Sequence, residues 1–242
     1  MLKIGHRGAK AYAPENTLCS FRKALECGVD MVEFDVRITK DKYAIVIHDK
    51  FLGRLAKKKF HRVSQLTLEE IKELRVEETE EIPTLGEVLE VIGNKVGLDI
   101  ELKEKDSAQV VVQTLRDYKI DLAQVMICSN FPSEIRMVET LEPKIITALV
   151  FRSTNVFSGW LILDFLAILF LPLTKYYISW VVKSSHADYL NINYHLLNKK
   201  KVELFKKRGI RVCAWTVNNP KKIEYLKGLG IDGIITNYPD RL

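Results

Sequence analysis

Residues 30–49 read DMVEFDVRITKDKYAIVIHD, two strand-like runs separated by a short polar stretch around Lys40-Asp41-Lys42. In the first run, Glu33 and Asp35 alternate with Val32, Phe34 and Val36. A period of two puts both carboxylates on one face of a strand and the apolar residues on the other. The second run, 43–48, ends on His48 with Asp49 behind it. Too few residues lie between the runs for a parallel crossover, so the spacing predicts a hairpin. With the turn centred on Asp41 and Lys42, paired residue numbers total about 83, and His48 lies opposite Asp35.

Outward from this hairpin, apolar runs alternate with amphipathic ones, the pattern of a parallel α/β fold. Strands are predicted near 3–7, 30–37, 43–48, 97–103, 124–129, 145–150, 188–192, 210–215 and 232–236, and helices over 17–27, 67–75, 84–92, 107–118, 132–141, 196–208 and 220–228. With 43–48 as an antiparallel addition over the mouth, eight parallel staves remain for a closed barrel. Asn16 or Thr17 is placed to cap the first helix. Gly28, Gly93, Gly209 and Gly230 each follow a helical stretch where a left-handed residue is expected.

The 242 residues suit one barrel domain over 1–242, and 47% apolar residues supply its core. No repeat or interdomain linker interrupts it. A net charge of +6 favours anionic partners, phosphate esters or an anionic membrane surface. The short lysine runs read as solvated helix faces rather than a nucleic-acid site. Cys128 and Cys213 lie in apolar runs and are expected as buried thiols. Cys19 and Cys27 are too far apart for a local bridge, and no zinc spacing occurs. A strand begins at once with no secretory signal before it, so a cytoplasmic setting is expected. Oligomeric state is not legible.

One segment stands apart: 156–182, VFSGWLILDFLAILFLPLTKYYISWVV. It is long enough to span a membrane, but it lies between two barrel strands, and a span there would split the fold across the bilayer. Two short helices broken near Pro172 are expected. They would form an apolar lid or peripheral membrane-docking patch, with Trp160, Tyr176, Tyr177 and Trp180 at an interface. A buried barrel helix with an oily dimer contact is the plainer alternative.

Ionisable groups in strands need partners. Glu33 and Asp35 on one face repel each other unless neutralised. A hard divalent cation, Mg2+ or Ca2+, resolves that conflict with oxygen ligands, and Glu101 completes a possible set. Salt bridging to Arg7, Arg37 or Lys103 resolves it as well. His6 and His48, at strand ends, titrate near neutral pH. They suit the two proton transfers of phosphodiester hydrolysis, one from the nucleophile and one to the leaving alkoxide. Arg7 and Lys103 supply charge for phosphate oxygens. Asp49 either orients a histidine or binds solvent. Trp215 either packs against a substrate's carbon skeleton or belongs to the core.

Taken in order, GHRG (5–8), PENT (14–17), VEFDV (32–36), IVIHD (45–49), IELK (100–103), WTVN (215–218) and GIDGIITNYP (230–239) resemble the glycerophosphodiester phosphodiesterase family. The resemblance implies a phospholipase-C-like TIM (β/α)8 barrel and metal-dependent hydrolysis of glycerophosphodiesters to glycerol 3-phosphate and an alcohol. It places the catalytic histidines on His6 and His48 and the metal carboxylates on Glu33, Asp35 and Glu101. Phosphate-binding charge falls on Arg7 and Lys103, with Glu15 in the same polar cluster. The family's insertion is shortened here to about 50–82, and its DxTLxRT-like stretch reads Asp49-Lys50-Phe51-Leu52-Gly53-Arg54-Leu55. The oily 156–182 segment raises lysophospholipids as alternative substrates. A membrane-bound protein without catalysis is a third reading, disfavoured by the complete set of polar residues.

Overall fold

The computed structural model describes residues 1–54, 61–77, 79–151 and 174–242. Eleven strands occur among them: β1 (Leu2–His6), β2 (Met31–Ile38), β3 (Ala44–Val46), β4 (Arg75–Val76), β5 (Glu80–Glu81), β6 (Gly97–Leu102), β7 (Val125–Ser129), β8 (Ile146–Phe151), β9 (Tyr189–Asn193), β10 (Arg211–Trp215) and β11 (Gly233–Thr236). Eight of them, β1-β2-β6-β7-β8-β9-β10-β11, pair in parallel, and β1 closes the ring by pairing with both β2 and β11. The helices are α1 (Leu18–Glu26), α2 (Leu68–Lys72), α3 (Leu85–Ile92), α4 (Ala108–Asp117), α5 (Pro132–Leu141), α6 (Thr174–Ser184), α7 (Lys199–Lys207) and α8 (Pro220–Gly228). The architecture is a TIM barrel.

The strands are apolar on both faces because helices cover the outside and side chains fill the inside. Outside, Phe21 of α1 meets Phe34 of β2 with ring centroids 5.5 Å apart. Each such fully buried side chain contributes about 1.5–3 kcal/mol. Inside, Ile4, Met31, Met126, Ala148, Val150 and Ile235 make an apolar floor. Cys128 and Cys213 are buried there too, and all four cysteines are free thiols.

The hairpin forms as predicted, with β3 antiparallel to β2, but its register differs by one. Val36 faces Val46 and Ile38 faces Ala44, and the Ile47 N–H donates to the Asp35 carbonyl. Asp35 therefore lies opposite Ile47 rather than His48. The turn holds three residues, Lys40, Asp41 and Lys42, with Lys42 left-handed at φ 70. This three-residue loop, with its last residue left-handed, is a common hairpin closure, and an odd loop moves the centre onto Asp41. The Thr39 hydroxyl locks it, accepting from the Tyr43 N–H and donating to Asp41.

Three smaller expectations shift. Gly93 is not left-handed (φ −55), and Asn94 takes that role at φ 56. The helix predicted over 67–75 stops at Lys72, because the Arg75 guanidinium takes the Lys72 and Leu74 carbonyls at 2.8 and 2.9 Å. The helix predicted from 196 starts at Lys199, where the Asn198 side chain accepts from the Lys201 N–H. Within 50–82, Leu52, Val63, Ile71, Leu74, Val76 and Ile82 form a small core with Ile45 and Ile47 of the hairpin's second arm. The expected break near Pro172, and Trp160 with it, lie outside the described residues. From Thr174 onward the segment is helical, with Tyr176, Tyr177 and Trp180 exposed.

Candidate active site

At the carboxyl end of β1 the chain turns sharply through Gly5-His6-Arg7-Gly8. Arg7 is left-handed at φ 50 and Gly8 follows at φ 85. A Cβ on Gly8 would lie 2.4 Å from the Ser20 hydroxyl and 2.7 Å from its backbone, so only glycine fits. The turn aims the Arg7 N–H at Glu33, 2.8 Å away. Strand register does the rest: His6 is beside Glu33, Glu33 beside Asp99, and Asp35 beside Glu101.

One oxygen from each of Glu33, Asp35 and Glu101 lies within 4.8 Å of the others, and all three residues are buried. Basic groups are threaded between them. Lys103 Nζ is 3.0 Å from Asp35 and 2.8 Å from Glu101. Arg7 lies 3.2 Å from Asp35 and 2.8 Å from Glu15, and Lys10 also pairs with Glu15. Arg37, considered as a partner of the strand acids, instead gives two hydrogen bonds to the His48 carbonyl, at 2.9 and 2.8 Å.

The acids separate by environment. Burial pushes Asp35 up, but Lys103 and Arg7 outweigh it and hold the carboxyl well below the ordinary range. Burial, reinforced by Asp35 and Glu101, pushes Glu33 well above that range. The residues fit a hard dication: three oxygen donors converge, and both the burial that pushes Glu33 up and the negative charge of its neighbours oppose a bare carboxylate there, a conflict that a cation relieves.

His6 Nδ1 is 2.6 Å from Asn237 Oδ1, while its Nε2 faces Glu33 at 4.0 Å. Burial, with Arg7 adding, lowers the imidazole to about 4. His48 Nδ1 is 2.7 Å from Asp49, and burial lowers this imidazole too. His6, Arg7, Glu33, His48 and Glu101 line one cavity of about 340 Å³ together with Cys128, Val150, Asn191, Asn193, Trp215, Thr216 and Ile235. Of the candidate site residues, His6, Arg7, Glu33, His48, Glu101 and Trp215 line it, and Glu15, Asp35 and Lys103 each lie one ion pair away.

Asn16 and Asn237 are among the residues that escaped the sequence reading of the site. Asn16, weighed only as a helix cap, leaves that task to Thr17. It is buried and left-handed at φ 59, and its amide donates to Asp35 at 2.9 Å. Asn237 tethers His6 from 231 positions away. Asn16 next to the charged Glu15 was a usable signal, whereas the Asn237 contact depends on barrel closure.

An α/β barrel with paired histidines and clustered acids at the strand ends defines a class, the barrel hydrolases of phosphate esters. The glycerophosphoryl diester phosphodiesterase family model matches residues 6–241. YhdW of Bacillus subtilis (strain 168) is 35% identical over 257 residues, 99% of this chain and 96% of that protein. A glycerophosphodiester phosphodiesterase of Caldanaerobacter subterraneus subsp. tengcongensis is 33% identical over 100% of this chain and 96% of its own. Among solved structures, an Oleispira antarctica phosphodiesterase in complex with the product sn-glycerol-3-phosphate superposes with a TM-score of 0.81 at 25% identity, covering 98% of this chain and 93% of that one. The chain belongs to the glycerophosphodiester phosphodiesterase family and is an enzyme of that class. No helix among the described residues is long and apolar enough to cross a membrane.

Proposed function

We propose that the protein hydrolyses glycerophosphodiesters to glycerol 3-phosphate and an alcohol, with His6 and His48 as the acid/base pair and a divalent cation, Mg2+ or Ca2+, held by Glu33, Asp35 and Glu101. The observation that carries this is the meeting of both imidazoles and two of the acids on one cavity, with Asp35 beside them. When bound, the cation supplies positive charge to a nonbridging phosphate oxygen and makes the neighbouring glycerol hydroxyl more acidic.

His6, neutral because burial disfavours its charge, takes the proton of that hydroxyl at Nε2, while Asn237 fixes the ring through Nδ1. The oxygen attacks phosphorus. His48, its ring held through Nδ1 by Asp49, gives a proton to the departing alcohol. The cyclic phosphate then opens as His48 takes a proton from water and His6 returns one to the glycerol oxygen. Arg7 and Lys103 offset the negative charge that builds on the phosphoryl oxygens.

Glycerophosphocholine turnover with Mg2+ and Ca2+ supplied separately tests this reading. Product should be glycerol 3-phosphate and choline, and EDTA should stop the reaction. Full activity after thorough chelation rejects the metal.

A second reading, lysophospholipase D activity at a membrane surface, rests on α6. Tyr176, Tyr177 and Trp180 are 44%, 50% and 64% exposed, and the Arg208 guanidinium lies over the Tyr176 ring at 5.1 Å. Exposed aromatics among cations suit peripheral contact with an anionic bilayer. Flotation with phosphatidylserine vesicles should carry the wild type and lose the doubly substituted Tyr177→Ser, Trp180→Ser protein. Equal flotation of both removes the contact. Turnover of lysophosphatidylcholine against glycerophosphocholine decides between the substrates.

A further inference from the structure

The wall of the cavity opposite the acids carries two polar atoms that nothing satisfies. Asn191 on β9 is 1% exposed, and its Oδ1 has no hydrogen-bond partner among the described residues. The indole Nε1 of Trp215 on β10 is buried and equally bare. Both residues line the cavity that holds His6 and His48. Their strands are hydrogen-bonded neighbours: Asn191 pairs with Cys213 and Asn193 with Trp215. Asn191 thus sits two positions deeper than Trp215 on the adjoining strand, about 7 Å along it.

Leaving a buried polar group unpaired costs about 1–3 kcal/mol. Two such groups, on residues that line one cavity, mark a place for a ligand atom. The chemistry of the pair is specific. Oδ1 only accepts and Nε1–H only donates. The small neutral group that satisfies both is a hydroxyl, which donates to the first and accepts from the second. The surrounding wall, Cys128, Val150 and Ile235, is apolar and suits the carbons that carry such a hydroxyl.

We propose that Asn191 is a specificity-determining residue: with Trp215 Nε1 it receives the free terminal hydroxyl of the substrate's glycerol. This rests on the function proposed above, in which the other free hydroxyl, next to the phosphate ester, is the nucleophile. A glycerol acylated at the terminal oxygen has no proton to give Asn191, and its acyl chain fills the apolar pocket. The site therefore selects glycerophosphodiesters over 1-acyl lysophospholipids.

The test compares glycerophosphocholine with 2-hydroxypropyl phosphocholine, which keeps the nucleophilic hydroxyl and lacks only the terminal one. Esterified choline carries no free hydroxyl, so the comparison isolates the glycerol side. For the wild type with its metal, kcat/KM should favour glycerophosphocholine by about 10- to 100-fold, the worth of one to two hydrogen bonds. In Asn191→Leu that ratio should fall toward one. Trp215→Phe, which keeps a ring and loses the N–H, should lower it independently and covers a failure of the first variant to fold. A ratio is insensitive to general damage, so a purely structural role leaves it unmoved. A wild-type ratio near one, or a ratio unchanged in both variants, means that the two atoms hold only water and overturns the inference. Absence of turnover on either substrate overturns the function on which it rests.

Discussion

Replacing Asp99 by asparagine should stabilise the protein, and by an amount that grows with pH. Asp99 is 0% exposed, and neither carboxylate oxygen makes a hydrogen bond. The Cys128 thiol acts on it, yet a thiol is a weak donor, and no hydrogen bond of proper geometry results. Burial first, and the neighbouring Glu101 and Asp35 second, push the group from its ordinary 3.8 to about 7. Each pH unit is worth about 1.4 kcal/mol, so ionising Asp99 in the folded state costs about 4 kcal/mol, an upper bound. The unfolded chain releases this proton near pH 4 and the folded chain near 7. Between those values the folded state holds more protons, so stability falls as pH rises. Asparagine, nearly isosteric, carries no such penalty. Urea unfolding in EDTA should show the variant within about 1 kcal/mol of wild type at pH 4 and ahead by about 2–4 kcal/mol at pH 8. A difference that is constant across that range, or that shrinks toward high pH, refutes the reasoning.

His6→Ala and His48→Ala should each lower kcat by about 10²–10⁴-fold with unchanged circular dichroism, and near-normal rates in both would remove the acid/base assignment. Lys103→Met breaks the ammonium's pairs with Asp35 and Glu101 and should destabilise the metal-free protein by about 3–5 kcal/mol. Added Mg2+ or Ca2+ should restore part of that loss, and a melting temperature unaffected by the substitution contradicts it. Asn237→Ala frees the His6 ring. It should reduce kcat more than it raises KM, and an effect confined to KM would place Asn237 in binding instead.

Much of this was written locally. The period-two alternation around Glu33 and Asp35 placed both acids inside the barrel, because one face of β2 is packed by helices and the other is interior. The short link at Lys40–Lys42 forced the hairpin, which reduced nine strand candidates to eight staves. The exact register was less accessible, since a two- and a three-residue loop differ only in the backbone of Lys42. Partners remote in sequence were hidden altogether. Asn237 and Asn191 are unremarkable amides until β9, β10 and β11 close against β1. The helix bounds moved where a side chain took over an end, as with Arg75 and Asn198. Such competition between neighbouring hydrogen bonds leaves no trace in apolar periodicity.

The ring closes through residues 233–236 lying against 2–5, and the imidazole of residue 6 is steadied by residue 237. Synthesis delivers these partners far apart in time. The first strand waits, one flank bare, until β11 has emerged. Activity therefore arrives only with closure, and a chain that stops short of β11 is an inert, sticky sheet with exposed edges.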